Sequence, residues 1–105
     1  MALESDWKLF RKLLPQWQEA FMERLLNDYS NIIDAPGLAS TRFWELQKRI
    51  EKDRRKKGVL VSNLRQSDTL ITVATLLNEK AITMDDLSGF SEDFQEEIRL
   101  YCSIS

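Results

Sequence analysis

The fold is decided by residues 16–33, which read QWQEAFMERLLNDYSNII. Large apolar side chains recur in this stretch every three or four positions, at Trp17, Phe21, Leu25, Tyr29 and Ile32. This spacing matches the 3.6-residue period of an α-helix, and Met22, Leu26 and Ile33 widen the apolar stripe. The pattern predicts a long amphipathic helix with one face buried.

Before this stretch, a second set of apolar residues recurs at helical spacing, at Trp7, Phe10, Leu13 and Leu14. Asp6 precedes them and is a typical N-cap residue. Pro15 follows, and proline has no N–H to donate and restricts the residue before it. The sequence therefore predicts a short first helix that ends near Leu14. A second helix is expected to begin at Pro15, because proline is favoured in the first turn of a helix.

Downstream, the segment 34–37, DAPG, predicts a turn, since proline and glycine together end a helix. Ser40 or Thr41 can cap a third helix, whose first half carries Phe43, Trp44, Leu46 and Ile50. Residues 51–57, EKDRRKK, are polar on every side, so we expect them to project into solvent. Acid-first pairs four residues apart favour a helix there as well.

The secondary structure of residues 58–66 stays open, whereas the segment after them is expected to be helix rather than strand. Residues 58–66 are compatible with a continuation of the third helix beyond Gly58 or with an extended connection. Ser67 and Asp68 can then cap a helix over Thr69–Lys80. Its β-branched start would also suit a strand, but no other segment offers that strand a partner, so we expect helix.

Capping residues organise the C-terminal part. Thr83 and Asp86 match a capping box that starts a short helical turn, and Ser91 is placed to cap the last helix, with Phe94 and Ile98 on its apolar face. The expected fold is all-α: a compact bundle of four main helices, with a short N-terminal helix and a short helical turn, forming a single domain over residues 1–105.

Composition narrows the class of protein. The chain has 105 residues, of which 43% are hydrophobic and 30% charged, and this balance is typical of a globular domain. No apolar run approaches the roughly 20 residues that cross a bilayer, and the first residues lack the pattern of a secretory signal. A single cysteine rules out an internal disulfide. These features predict a cytoplasmic protein that does not associate with membranes.

Residues suited to catalysis are scarce. The chain contains no histidine, the commonest general base and metal ligand. Cys102 lies near the end of a predicted helix, where the helix dipole disfavours a thiolate, so we interpret it as a packing residue. The acidic residues fail the calcium-loop pattern, and the three glycines are too far apart for a phosphate loop. We therefore predict no catalytic, cofactor-binding or metal-binding residues, and an enzyme that uses carboxylates alone is the least favoured alternative.

Charge is unevenly distributed along the chain. Residues 42–57 contain eight basic and three acidic residues, whereas residues 78–97 contain one basic and seven acidic residues. The two segments can steer a charged partner, or they can lie together and neutralise each other, and the second interpretation is slightly favoured. A basic run can also bind nucleic acid through phosphate contacts. The residues of that alternative are Arg49, Lys52, Arg54, Arg55, Lys56 and Lys57.

The aromatic residues favour a different function. Most of the ten aromatic side chains are expected in the core, but the first helix and the wide face of the second carry more large apolar groups than a small bundle can hide. Surplus apolar surface is typical of an interface with a partner or a second copy. We therefore expect a non-enzymatic protein–protein interaction domain, acting on another protein or as a homodimer. The expected contact residues are Trp7, Phe10, Trp17 and Phe21.

Overall fold

A computed structural model of the chain describes residues 3–104; Met1, Ala2 and Ser105, which complete the predicted domain, lie outside the described residues. Four α-helices account for most of the described chain: α1 (Glu4–Ile33), α2 (Ala39–Asp53), α3 (Thr69–Asn78) and α4 (Glu92–Ile104). Two short 3-10 helices lie at Gln66–Asp68 and Met84–Leu87. No strand occurs between residues 3 and 104, so the predicted all-α class is confirmed.

The helix α1 is continuous through Pro15, so the predicted break near Leu14 is wrong. Pro15 lies on the exposed side of the helix. The buried stripe continues on both sides of it, with Phe10 and Leu14 before the proline and Trp17 and Phe21 after it. A proline inside a helix costs about 3 kcal/mol, and each large side chain that the continuous stripe buries contributes about 1.5–3 kcal/mol. Burial therefore outweighs the local penalty.

Asp6 lies inside the first turn of α1 and does not act as the predicted N-cap; Leu3 occupies that position. The buried carboxylate of Asp6 accepts two hydrogen bonds from Ser91, one from its N–H at 2.8 Å and one from its hydroxyl at 2.7 Å. The same hydroxyl accepts a hydrogen bond from the N–H of Phe94 at 3.2 Å, which confirms Ser91 as the cap of α4. Asp6 thus joins the start of α1 to the start of α4.

Most of the core lies where α3 and α4 cover α1, and Leu25, Tyr29 and Ile32 extend it along the hairpin. Aromatic rings pack in sequence through it: Trp17 stacks on Phe90 with ring centroids 6.2 Å apart, and Phe90 stacks on Phe94 at 5.2 Å. The segment from Thr69 is the predicted helix and not a strand, although it ends at Asn78. Its buried members are Thr69, Thr72, Val73, Ala74 and Leu76. The capping box of Thr83 with Asp86 is also confirmed.

Beyond the core, α1 and α2 form an antiparallel helical hairpin. The turn after Ile33 occurs as predicted, with Gly37 at a φ of +120°, a value that favours glycine. The guanidinium of Arg42 donates to the carbonyl oxygen of Ile33 at 2.7 Å, one of the carbonyls that the end of α1 leaves without a helical donor. The helix α2 begins at Ala39 behind Leu38, without a side-chain cap, so the predicted cap at Ser40 or Thr41 is wrong.

The compact bundle expected from the sequence is present only in part. Asp53 is the one buried residue of α2 among the described residues, because α2 packs along α1 and its outer side faces solvent. The molecule is accordingly elongated, measuring 52 × 25 × 19 Å. Within residues 3–104, none of the helices is both long enough and apolar enough to cross a membrane.

The helix α2 ends at Asp53, four residues before the end of the basic run at Lys57, so the helix expected over residues 54–57 is wrong. Residues 58–65 form turns and loop rather than helix. The carboxylate of Glu79 accepts hydrogen bonds from the backbone N–H groups of Lys57 at 2.9 Å and Gly58 at 3.0 Å. The side-chain amide of Gln18 donates to the carbonyl oxygen of Lys57 at 3.0 Å. These bonds hold the loop between α1 and the end of α3.

Gly58 is the tightest point of this loop, and we predict that Gly58→Ala destabilises the protein. A Cβ at this position would lie 2.3 Å from the ring of Phe21, so the buried ring or the loop must move. The expected loss in the free energy of unfolding is about 1–3 kcal/mol, measured by urea denaturation. The control is Gly89→Ala, whose Cβ would lie 3.3 Å from the flexible end of Leu9 and should cost less than about 1 kcal/mol. Equal losses in the two variants would contradict the packing argument.

Candidate functional site: the hairpin face

The four residues expected to contact a partner lie in or beside the core. Phe10, Trp17 and Phe21 are buried, and Trp7 is half-buried beneath the guanidinium of Arg11, 4.9 Å from its ring centroid. The ring centroids of Trp7 and Phe10, and those of Phe10 and Trp17, are each 6.3 Å apart. The structure therefore brings these side chains together as packing residues, and a contact role for them stays a prediction.

One group of exposed apolar residues lies along one side of the helical hairpin. Met22, Leu26 and Ile33 share a side of α1, since they are four and eleven residues apart, and Phe43, Leu46 and Ile50 share a side of α2. We call these six residues the hairpin face. Four of them, Leu26, Ile33, Phe43 and Ile50, are between 44 and 62% exposed.

Two shallow cavities mark the groove between the helices on this face. One, of about 200 Å³, is lined by residues that include Met22, Leu26 and Ile50. The other, of about 180 Å³, lies nearer the turn and is lined by residues that include Ile33, Phe43 and Leu46. The groove is therefore apolar along most of the hairpin.

A buried carboxylate holds the base of the hairpin together. Asp53, which the sequence placed in a solvent-projecting segment, is only 2% exposed, so that expectation is wrong for this residue. The hydroxyl of Tyr29 donates to its Oδ2 at 2.6 Å. Two cations complete the cluster: Lys56 Nζ lies 3.2 Å from Oδ1 and Arg49 Nη2 lies 3.7 Å from Oδ2. The carboxylate tolerates burial at the end of α2 because Oδ2 accepts a hydrogen bond and each oxygen lies beside a cation.

The cluster shifts the pKa values of both acidic groups. Burial alone would raise the pKa of Asp53, but the hydrogen bond from Tyr29 and the charges of Lys56 and Arg49 outweigh it and hold that pKa below its ordinary value of 3.8. Burial, the hydrogen bond to Asp53 and the negative charge of Asp53 raise the pKa of Tyr29 to about 12. At neutral pH the pair is therefore a phenol that donates to a carboxylate.

The residues of the nucleic-acid alternative do not form one continuous strip. Arg49 and Lys56 form ion pairs with Asp53, and Lys57 is half-buried in the loop that Glu79 binds. Lys52, Arg54 and Arg55 remain exposed around the end of α2, and Arg54 Nε lies 3.5 Å from Glu51 Oε2. The contact between the basic and acidic segments runs through Glu79, which binds backbone N–H groups of the basic segment.

Other chemistry is sparse in the part of the chain that the structure describes. Cys102 is half-buried on α4 and packs against the core. Residues 3–104 contain no group of three or more histidine, cysteine, aspartate or glutamate side chains placed to hold a metal ion. Comparison with protein-family models, with curated proteins and with solved structures gave no match to this chain.

The contact residues predicted from the sequence do not include the hairpin face, although the sequence contains a signal for it. Met22, Leu26 and Ile33 widen the apolar stripe of α1 beyond the width that one neighbouring layer covers. In the same way, the apolar residues of α2 exceed what a single contact with α1 can bury. Each of the two helices has an apolar stripe wider than its neighbour can cover, and a short turn joins them. This combination indicates an exposed groove that the two helices share.

We predict that Tyr29→Phe changes the pH dependence of stability. The pKa of Tyr29 in the folded protein is raised above its ordinary value of 10.0. The contribution of its protonated hydroxyl to the free energy of unfolding is therefore present below about pH 10 and is lost as the pH rises towards 12. Removing the hydroxyl should lower the free energy of unfolding at neutral pH by about 1.5–3 kcal/mol and should remove this alkaline loss. The measurement is urea denaturation at neutral and alkaline pH.

The matched control is Tyr101→Phe, on α4 and outside the cluster, which should keep the alkaline loss. At acid pH, Asp53 gives the opposite dependence, because its pKa in the folded protein lies below the ordinary value of 3.8. The ionised carboxylate contributes stability above pH 3.8, and this contribution is lost as the pH falls through the pKa of the folded protein. Tyr29→Phe should reduce this acid loss as well. An unchanged alkaline profile in Tyr29→Phe would show that the phenol does not stabilise the hairpin.

Proposed function

We propose that this protein is a non-enzymatic protein–protein interaction domain that binds through the hairpin face. The observation that carries the proposal is the exposure of Leu26, Ile33, Phe43 and Ile50 in one groove between two helices. Large apolar patches of this kind are uncommon on monomeric proteins and mark contact surfaces. A cytoplasmic setting, expected from the sequence, is part of the same proposal.

The groove has the shape and the rigidity that helix recognition requires. Two antiparallel helices leave an apolar channel between them, and an amphipathic helix can fill such a channel with residues at i, i+3 and i+7. The base of the hairpin is held by the cluster around Asp53, and its turn is held by Arg42. A preformed groove loses little conformational freedom when a partner binds, which favours affinity.

Nucleic-acid binding through residues 49–57 stays the second prediction from the sequence. It receives less support than the hairpin face, because Arg49 and Lys56 already neutralise Asp53. The cations that remain exposed, Lys52, Arg54 and Arg55, could contact only a few phosphates, and affinity for nucleic acid grows with the number of phosphates contacted.

The proposal predicts that a partner can be trapped from the hairpin face and not from elsewhere. A photo-crosslinking amino acid at Phe43 should give a discrete protein adduct in cells, and Ile50→Glu in the same chain should abolish it. The control places the crosslinker at Leu100 on α4, which is also exposed, at 57%, but lies outside the face. Absence of an adduct at Phe43, or equal adducts at both positions, would contradict the proposal.

A further inference from the structure

We propose that the partner on the hairpin face is a second copy of this chain. In the complex, α1 of each copy packs against α2 of the other, so that the two hairpins form a four-helix bundle around a two-fold axis parallel to the helices. This inference rests on the proposed function, since it names the occupant of the same groove.

The first argument is the amount of surface that the single chain exposes. Its accessible surface is 7245 Å², whereas a compact monomer of 12.3 kDa exposes about 6,100 Å². Its radius of gyration is 16.3 Å, compared with about 13 Å for a compact domain of this length. The excess surface of about 1,100 Å² is comparable to the roughly 800 Å² that each partner contributes to a stable interface. The excess surface is therefore large enough for one dimer contact to cover.

The second argument is charge complementarity between the two edges of the groove. On the α1 edge, Glu19 and Glu23 are exposed and lie one helical turn before Met22 and Leu26. At the α2 edge, directly after Asp53, Arg54 lines the groove with its Nε 3.5 Å from Glu51 Oε2, and Arg55 follows it; both arginines are exposed. The helices are antiparallel, so the acidic and the basic edges lie at the same end of the hairpin.

A two-fold axis parallel to the helices produces two equivalent contacts between an acidic and a basic edge. It places the acidic α1 edge of each copy beside the basic α2 edge of the other, while the apolar residues of the two grooves meet in the middle. Such an isologous contact is closed, so it produces a dimer and not a filament. A single acidic or basic partner would satisfy only one edge of the groove, whereas a second copy satisfies both.

The first experiment measures the dimer dissociation constant by size exclusion with light scattering and by sedimentation, over a wide range of protein concentrations. We expect a dimer for the natural chain. Leu26→Glu and Ile50→Glu, one from each helix, should each raise the dissociation constant at least about tenfold, because a buried unpaired charge opposes association. Leu100→Glu, similarly exposed but on α4, should leave it unchanged. Circular dichroism checks that each variant keeps its helix content.

The second experiment tests the arrangement by exchanging charges. Glu19→Lys with Glu23→Lys in one chain, and Arg54→Glu with Arg55→Glu in another, should each weaken the homodimer about three- to tenfold at low salt. Mixing the two variant chains should restore the affinity as a heterodimer, because both contacts again join opposite charges, and high salt should reduce the differences. Native mass spectrometry counts the species. Recovery on mixing also shows that both variants are folded.

The outcomes separate this inference from the function on which it rests. A chain that stays monomeric at every concentration, yet gives an adduct with another protein at Phe43, overturns the second copy as partner and retains the interaction face. A dimer that tolerates Leu26→Glu and Ile50→Glu overturns the hairpin contact. A dimer without recovery on mixing overturns the proposed axis, and a monomer without any adduct overturns both proposals.

Discussion

The hydrogen bond from Tyr29 to the buried carboxylate of Asp53 sets the geometry of the hairpin. A carboxylate at this depth must be paired, and the pairing draws Lys56 and Arg49 towards the same point. The end of α2 is thereby held against α1, and the chain beyond it turns into the loop bound by Glu79. The groove of the hairpin face has a defined width because this polar cluster closes one end of it and the turn closes the other.

Most of the buried core and the proposed contact surface lie in different parts of the molecule. Where α3 and α4 cover α1, apolar burial supplies the stability, and Asp6 ties the two chain segments together through Ser91. Along the hairpin, α2 buries little of its surface, and an isolated helix of its length is marginal in water. Its position therefore depends on a few specific contacts with α1, and a partner on the open side would add the burial that the single chain lacks.

The parts of the fold that could be predicted are those governed by residues close in sequence. The capping box of Thr83, the cap at Ser91 and the turn at 34–37 occur where the sequence predicts them, because each depends on the backbone within a few residues. The predictions failed where a distant contact outweighs a local preference. Pro15 sits inside a helix because the stripe across it is buried, and Asp6 and Asp53 are buried because Ser91 and Tyr29 donate to them.

The amino-acid sequence by itself determined the all-α class, the amphipathic character of α1 and the surplus of apolar residues that indicates an interface. Only the tertiary structure decided which apolar residues are the surplus. The aromatic residues near the N-terminus became core, and the flanks of α1 and α2 became the exposed groove. The reason is physical: periodicity shows that a helix has an apolar side, but burial belongs to a pair of packed elements. A residue is therefore exposed or covered according to which neighbour reaches it.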